Sequence, residues 1–189
     1  MAQRDRSWWR WGMPLLGMLV AIAQLAWEYS HGGVRSHHLL NRADLPAISN
    51  WWGLLSLPLV GWLAVSVVAG RAAGDGAVFR NAVAGAVGAW AAGGSLSVAF
   101  VLGNESVAFG VLVTLLLCAV VVRAYRAEYL FGFVLGMTFV FGAVLPCIVF
   151  VAIASVSATA HFALWPALRR LMGKTRRRQP QVQGGAMRD

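Results

Sequence analysis

The chain has 189 residues, of which 59% are hydrophobic and 12% are charged, and its mean hydropathy is +0.66. A water-soluble domain usually carries about 25% charged residues, so this chain has too few charges to cover a surface that faces water. The composition excludes an ordinary soluble domain and predicts an all-α integral membrane protein. The net charge of +9 alone would suggest a nucleic-acid partner. The positions of the charges favour membrane lipids instead.

Runs of apolar residues predict where the chain crosses the membrane. A helix needs about 20 apolar residues to cross the hydrocarbon core, and five runs meet or approach that length. The last run, from Tyr129 to Pro166, is too long for one crossing, and it contains Gly142 and Pro146, which can break a helix. We therefore expect a membrane domain at residues 13–172 with six transmembrane helices, at 13–29, 51–70, 78–103, 107–122, 125–144 and 146–171.

The basic residues predict the orientation. With six spans and a cytoplasmic N-terminus, 14 of the 16 Lys and Arg residues lie on the cytoplasmic side, which follows the positive-inside rule. Both termini are therefore expected in the cytoplasm of a multi-pass protein of the inner, cytoplasmic cell membrane. Residues 1–12 form a basic and aromatic N-terminal segment, and residues 173–189 form a basic tail that is predicted to be disordered. Contact with anionic lipids explains this charge without a nucleic acid.

Small residues recur every four positions in the third span, and two glycines do so in the fifth. They are Gly85, Ala89, Gly93 and Ser97, followed by Gly132 and Gly136. Small residues at this spacing let two helix backbones approach closely. Packing within one chain is the favoured interpretation. Contact with a second copy or with a membrane partner protein through these Gly/Ala faces is the alternative.

The segment between the first two spans, residues 31–50, is predicted to be a structured external loop. Connections between helices usually have about 2–8 residues, so a loop of this length suggests a function. It holds three of the four histidines. The candidate site residues at this end are Glu28, His31, His37, His38 and Asp44, together with Glu105 from the next external turn.

These side chains suit two kinds of chemistry. Imidazole nitrogens and carboxylate oxygens can bind a divalent transition metal, and they can also act as an acid–base pair. Glu28 and His31 have the i, i+3 spacing of a helical chelating pair. His37 and His38 are adjacent and cannot point the same way in a regular element, so we expect one of them to join any site. A hydrogen-bonded interfacial loop without a ligand is the simpler interpretation.

A second candidate site lies within the last span. Ser157 and His161 are four residues apart, near the cytoplasmic interface. A histidine that is hydrogen-bonded to hydroxyls or to neighbouring backbone is the simpler interpretation, and a proton relay or inner gate is the functional one.

Three functions remain open. The first is a membrane-embedded, metal-dependent hydrolase acting on a lipid or another amphiphile, with the external histidines and carboxylates as catalytic or metal-binding groups. The second is a small permease or metal-ion carrier that captures its cargo outside and releases it near His161. The third is a non-catalytic subunit or assembly factor of a membrane complex. The first is slightly favoured because acidic residues and histidines gather at one depth.

Overall fold

The computed structural model describes residues 9–38, 44–72 and 75–176, and it is a helical bundle with one small hairpin. The helices are α1 (Trp9–Ser30), α2 (Gly53–Ala72), α3 (Gly76–Val101), α4 (Glu105–Val121), α5 (Ala127–Phe141), α6 (Val144–Thr159) and α7 (Trp165–Arg176). A π-helical stretch, Ala160–Leu164, joins α6 to α7, so these two form one continuous helix. The described residues therefore form six helical rods.

Four of these rods are long and apolar enough to cross a membrane: Arg10–Ser30, Asn50–Ala72, Gly76–Val101 and Val144–Met172. The other two are shorter, since α4 has 17 residues and α5 has 15. At 1.5 Å per residue they rise about 25 Å and 22 Å, which is less than the roughly 30 Å of a hydrocarbon core. All six predicted helices form, and the fifth is clearly shorter than the predicted 125–144.

The break in the long final run occurs at Gly142. This residue has a φ of +70°, a conformation that glycine adopts easily and other residues rarely do, and it ends α5. Pro146 is the third residue of α6, in the first turn, where its missing N–H removes no bond within the helix. The predicted break is therefore made by the glycine, and the proline fits inside the next helix.

Helix α5 lies at the centre of the bundle and packs on α1, α2, α3 and α6. Its contact with α3 is the closest. A Cβ at Gly132 or Gly136 would collide with the carbonyl oxygen of Ala86 or Trp90 on α3, and a Cβ at Gly93 would lie 2.5 Å from the Phe133 carbonyl oxygen. The small-residue faces of these two helices are thus occupied by each other within the chain. This agrees with the favoured interpretation of those faces.

The first two helices form a second close pair. A Cβ at Gly17 would lie 2.7 Å from the Leu57 carbonyl oxygen, and one at Gly61 would lie 2.7 Å from that of Met13. These two contacts show that α1 and α2 run antiparallel. Pro58 lies beside Gly17, inside α2.

The described structure is helical, as predicted, and it adds two local features. The predicted structured loop contains strands β1 (Ser36–His38) and β2 (Ala47–Ser49), which form an antiparallel hairpin between α1 and α2. Each strand has three residues, which is too short for an alternating pattern to be recognised in the sequence. The last helix also continues to Arg176, beyond residue 173, where the tail was predicted to begin. Residues 177–189, 1–8, 39–43 and 73–74 lie outside the described part of the chain, so the predictions that fall on them stay predictions.

The packing of α3 on α5 predicts that two alanine substitutions will differ in their effect on the free energy of unfolding. Gly136→Ala places a methyl group against the α3 backbone and should lower the free energy of unfolding by about 1–3 kcal/mol, the usual cost of overpacking. Gly88→Ala is the control, because nothing lies within 4 Å of a Cβ at that position. We expect it to be neutral or slightly stabilising. Denaturant unfolding of the detergent-purified proteins measures both, and equal stability would contradict this account of the core.

Candidate functional site

The two ends of the bundle differ in chemistry. The hairpin end comprises the turn after α1, the hairpin, and the turns before α4 and α6. The arginine end comprises the start of α3, the loop between α4 and α5, and α7. The external cluster predicted from the sequence falls at the hairpin end, and Ser157 with His161 falls towards the arginine end.

The hairpin is positioned by a sharp turn at the end of α1. Gly32 and Gly33 have φ values of +113° and +105°, which a residue with a side chain rarely adopts. The chain then pairs His37 with Ile48 across the hairpin and enters α2 through a 3-10 turn at Asn50–Trp52. The Ser49 side-chain oxygen accepts a hydrogen bond from the Trp51 backbone N–H at 3.4 Å. This is the capping contact that a serine before a helix provides.

The Glu28 carboxylate joins the hairpin to the bundle. Glu28 is only 5% exposed. Its Oε1 accepts hydrogen bonds from Gln24 Nε2 at 3.1 Å and from Asn50 Nδ2 at 2.5 Å, and its Oε2 accepts one from the Arg35 backbone N–H at 3.0 Å. A carboxylate removed from water needs such donors, since burial without them is costly. We call these four residues the Glu28 latch, because they connect α1, β1 and the start of α2.

Asn50 also connects the latch to a fourth part of the fold, the end of α5. Its backbone N–H donates to the Arg35 carbonyl oxygen at 3.0 Å, and the residue is 4% exposed. Its Oδ1 occupies the space that a Cβ on residue 142 would need, so only glycine fits at this position at the end of α5. The residue that ends α5 therefore also makes room for the latch.

His37 lies on the side of the hairpin that faces the latch. Burial lowers the pKa of His37 from its ordinary value of 6.5, the Glu28 charge acts in the opposite direction, and Arg35 adds to the lowering. The imidazole is therefore neutral at pH 7. In the described structure its Nε2 is buried without a hydrogen-bond partner, as are Gln24 Oε1 and Ser56 Oγ. Among the described residues of this end, His37 is thus an imidazole whose pKa responds to the charge of the buried Glu28 carboxylate.

The other two histidines of the cluster do not face Glu28. The His31 ring stacks on the Trp27 ring with centroids 3.8 Å apart, and its Nδ1 lies 2.8 Å from the Trp27 carbonyl oxygen. His38 Nδ1 lies 2.8 Å from the Leu45 carbonyl oxygen, which closes the hairpin on its outward side. The predicted Glu28–His31 pair therefore does not share a site, although the spacing permits it. Of the two adjacent histidines, His37 is the one that faces the latch.

The remaining carboxylates of the predicted cluster are exposed. Asp44 is exposed just before β2. Glu105 is in the first turn of α4, after Asn104, whose Oδ1 accepts the Val107 backbone N–H at 3.1 Å. A carboxylate at that position interacts favourably with the positive, N-terminal end of the helix dipole. Within residues 9–38, 44–72 and 75–176, no three His, Cys, Asp or Glu side chains are close enough to hold a metal ion.

Ser157 and His161 cap the end of α4. Ser157 Oγ donates to the Val122 carbonyl oxygen at 2.8 Å and accepts the Ala124 backbone N–H at 2.9 Å. His161 Nδ1 lies 2.9 Å from the Ser157 carbonyl oxygen, and its Nε2 lies 3.2 Å from that of Val121. A neutral imidazole donates from only one of these nitrogens. The histidine is thus held by backbone carbonyls, as in the simpler interpretation.

Four hydroxyl groups along the helices donate to carbonyls of their own helix, whereas Ser97 Oγ donates across to the Gly136 carbonyl oxygen of α5 at 3.2 Å. The four pairs are Ser95 with Ala92 at 2.8 Å, Thr114 with Gly110 at 2.8 Å, Thr138 with Val134 at 2.6 Å, and Ser155 with Val151 at 2.7 Å. These four groups are satisfied locally and do not link one end of the bundle to the other.

One buried ion pair was not predicted. Glu128, in the first turn of α5, is 1% exposed, and its Oε2 lies 2.5 Å from Arg71 Nη2 at the end of α2. A lone carboxylate beginning an apolar helix is a usable signal, because a charge inside a membrane bundle normally finds a partner there. Arg71 was expected only as one of the basic residues on the cytoplasmic side, and Glu128 was not among the candidate site residues.

Comparison with protein-family models, with curated proteins and with solved structures finds no match to this chain.

His37 predicts how stability depends on pH. Its lowered pKa means that the unfolded chain takes up a proton near pH 6.5 while the folded chain does not. The contribution of His37 to the free energy of unfolding should therefore be fully present above pH 6.5. It should decrease as the pH falls from 6.5 to the pKa that His37 has in the folded chain. The unfolding midpoint of the wild type should decrease when the pH is lowered from 7.5 to 5.5. This decrease should be smaller in His37→Gln. His38→Gln is the matched control and should keep the wild-type slope; equal slopes in all three proteins would refute the assignment.

Proposed function

We propose that this protein is a six-span membrane protein with both termini in the cytoplasm and the hairpin end outside. Two observations support the proposal. The six rods alternate in direction, so the hairpin and the arginine-rich loops lie at opposite ends. The described arginine side chains gather at one end, with Arg35 as the exception: Arg10, Arg71, Arg80, Arg123, Arg126, Arg169 and Arg170. Basic residues on one side favour the cytoplasmic placement of that side.

Within this topology, the function best supported is that of a non-catalytic subunit or assembly factor of a membrane complex. The hairpin would serve as the docking element for a partner protein outside the membrane. The observation that carries this proposal is the Glu28 latch. A loop of this length pays a large entropic cost when it binds a partner, and ordering it in advance reduces that cost. A buried carboxylate with three donors fixes the chain at Arg35 and Asn50, the positions before β1 and after β2.

The aromatic residues around the hairpin agree with this role. Trp27, Trp51 and Trp52 are between 57% and 60% exposed, and they surround the base of the hairpin. Indole rings favour the interface between lipid and water. They would fix the depth of the bundle so that the hairpin projects from the interface towards a partner.

A membrane-embedded hydrolase is the second candidate, and one observation favours it. His37 Nε2 is buried without a hydrogen-bond partner among the described residues, and the Glu28 charge acts on the pKa of this imidazole, so His37 would be the base of such an enzyme. The two oxygens of Glu28, however, already accept three hydrogen bonds, which makes the latch the better-supported role. Near-stoichiometric bound metal in the wild type, lost in His37→Gln, would favour the hydrolase. The permease draws less support, because four of the described hydroxyls between the two ends are bonded within their own helices.

Single cysteines test the topology and the docking role together. The background is Cys118→Ala/Cys147→Ala, which removes the two native cysteines. Ala47→Cys lies at an exposed position of β2, and Ala77→Cys lies at an exposed position at the start of α3. Intact cells are treated with a membrane-impermeant, thiol-reactive photo-cross-linker. We expect Ala47→Cys to react and to give a discrete adduct with one other protein, and Ala77→Cys to react only after the cells are opened.

The possible failures are distinct. Labelling of Ala77→Cys but not of Ala47→Cys in intact cells would contradict the orientation. Labelling of Ala47→Cys without any adduct would leave the orientation standing and contradict the docking role. An adduct with the mass of two copies would show that the hairpin docks on a second copy of this chain and not on a different protein.

A further inference from the structure

The corner of the bundle where α4 ends and α7 begins is rigid and strongly basic. It is built from the loop between α4 and α5 and from the first turns of α7. Its arginines are Arg123, Arg126, Arg169 and Arg170, and we call this set the arginine corner.

The corner is held by a series of side chains on the last helix. Ser157, His161 and Trp165 follow one another at intervals of four residues, so they share one face of the helix. They lie against three successive carbonyl oxygens at the end of α4, with Trp165 Nε1 donating to that of Val120 at 2.9 Å. Arg169 continues the same spacing one turn further on. The contacts thus fix the direction in which α7 leaves the bundle.

The loop beside α7 is fixed by the same contacts. Ser157 Oγ accepts the Ala124 N–H at 2.9 Å, and the Tyr125 ring lies 5.3 Å from Phe162 and 5.9 Å from His161 between ring centroids. Arg123 and Arg126 flank these two anchored residues. All four arginines of the corner are therefore carried by backbone that is tied to the junction of α6 and α7.

The charge of the corner is not neutralised within the described chain. Arg71 is paired with the buried Glu128, and Asp75 caps the start of α3. The described residues include no carboxylate within ion-pair distance of Arg123, Arg126, Arg169 or Arg170. Arg123, Arg169 and Arg170 are exposed, and Arg126 is half-buried.

Apolar surface continues directly from the corner along the helices. Leu117 and Val121 on α4 are 66% and 72% exposed, and Phe162 on the π-helical stretch is 71% exposed. A soluble anion would contact only the guanidinium groups. A molecule with a phosphate and hydrocarbon chains would contact both surfaces at once. Guanidinium groups suit phosphate because their planar N–H groups can donate to two oxygens together.

We propose that the arginine corner binds the headgroup of an anionic phospholipid, whose chains lie along the exposed apolar surface of α4 and the last helix. The proposal requires only that the bundle is embedded in a membrane. It is independent of the partner that the hairpin contacts, and the experiment that tests it leaves the hairpin backbone and the latch intact.

Native mass spectrometry of delipidated protein in detergent tests the proposal. The protein is titrated with phosphatidylglycerol and with phosphatidylcholine that carry identical acyl chains. The wild type should retain one phosphatidylglycerol with about tenfold or higher preference, since each arginine near an anionic headgroup contributes severalfold. Arg123→Gln/Arg126→Gln and, separately, Arg169→Gln/Arg170→Gln should each lose most of that preference. The second pair is exposed on α7, so its loss should not disturb the fold.

The matched control is Arg10→Gln/Arg80→Gln, which removes the same number of charges from exposed positions of α1 and α3, outside the arginine corner and outside the latch. It should keep the wild-type preference. Equal retention of the two lipids by the wild type would overturn the proposal. An equal loss in the control would show a general charge effect and overturn the site. Competition by soluble glycerol phosphate as effective as that by phosphatidylglycerol would overturn the lipid assignment in favour of a simple anion site.

Discussion

The arrangement at the hairpin end depends on one buried carboxylate. Glu28 is removed from water at the end of an apolar helix, and this is tolerable only because Gln24, Asn50 and the Arg35 backbone supply donors to both of its oxygens. Each donor comes from a different part of the chain: one turn earlier in α1, the turn before α2, and the entry to β1. Satisfying the carboxylate therefore requires the hairpin to fold back onto the bundle. The requirement is local, yet it fixes the positions of both hairpin strands relative to α1 and α2.

The central helix, α5, is likewise held by polar contacts at its ends. At one end, α5 begins with Glu128, which is buried and paired with Arg71 of α2. At the other end, α5 finishes at Gly142, which leaves room for the amide of Asn50. Between these ends its glycines let α3 approach to backbone contact. A helix too short to span a hydrocarbon core alone is thus enclosed by others and tied by polar contacts at both ends.

Much of the fold could be predicted, because apolar length and basic flanks report directly on membrane crossing. The six helices and the small-residue packing faces follow from such patterns. The three-residue strands could not be seen, since a pattern of alternation needs more residues. The site was predicted less well. Glu28 and His37 were among six candidate residues, but spacing alone could not show that His31 would stack on Trp27 or that Asn50 would be a partner of Glu28. Those contacts are long-range or depend on rotamers, and a single sequence carries neither. The pairing of Glu128 with Arg71 was missed for the same reason, because 57 residues separate them.

The latch is the central claim, and amide hydrogen exchange in the hairpin tests it most directly. Glu28→Gln keeps the shape of the side chain but cannot present acceptors to all three donors. Peptides covering residues 34–38 and 47–52 should exchange roughly tenfold faster or more in this variant, as expected for the loss of a hydrogen bond to a charged group. Glu105→Gln makes the same change at an exposed position of the same end and should leave exchange in these peptides unchanged. Unchanged exchange in Glu28→Gln would show that the hairpin holds its place without the carboxylate, and the account of this end would be wrong.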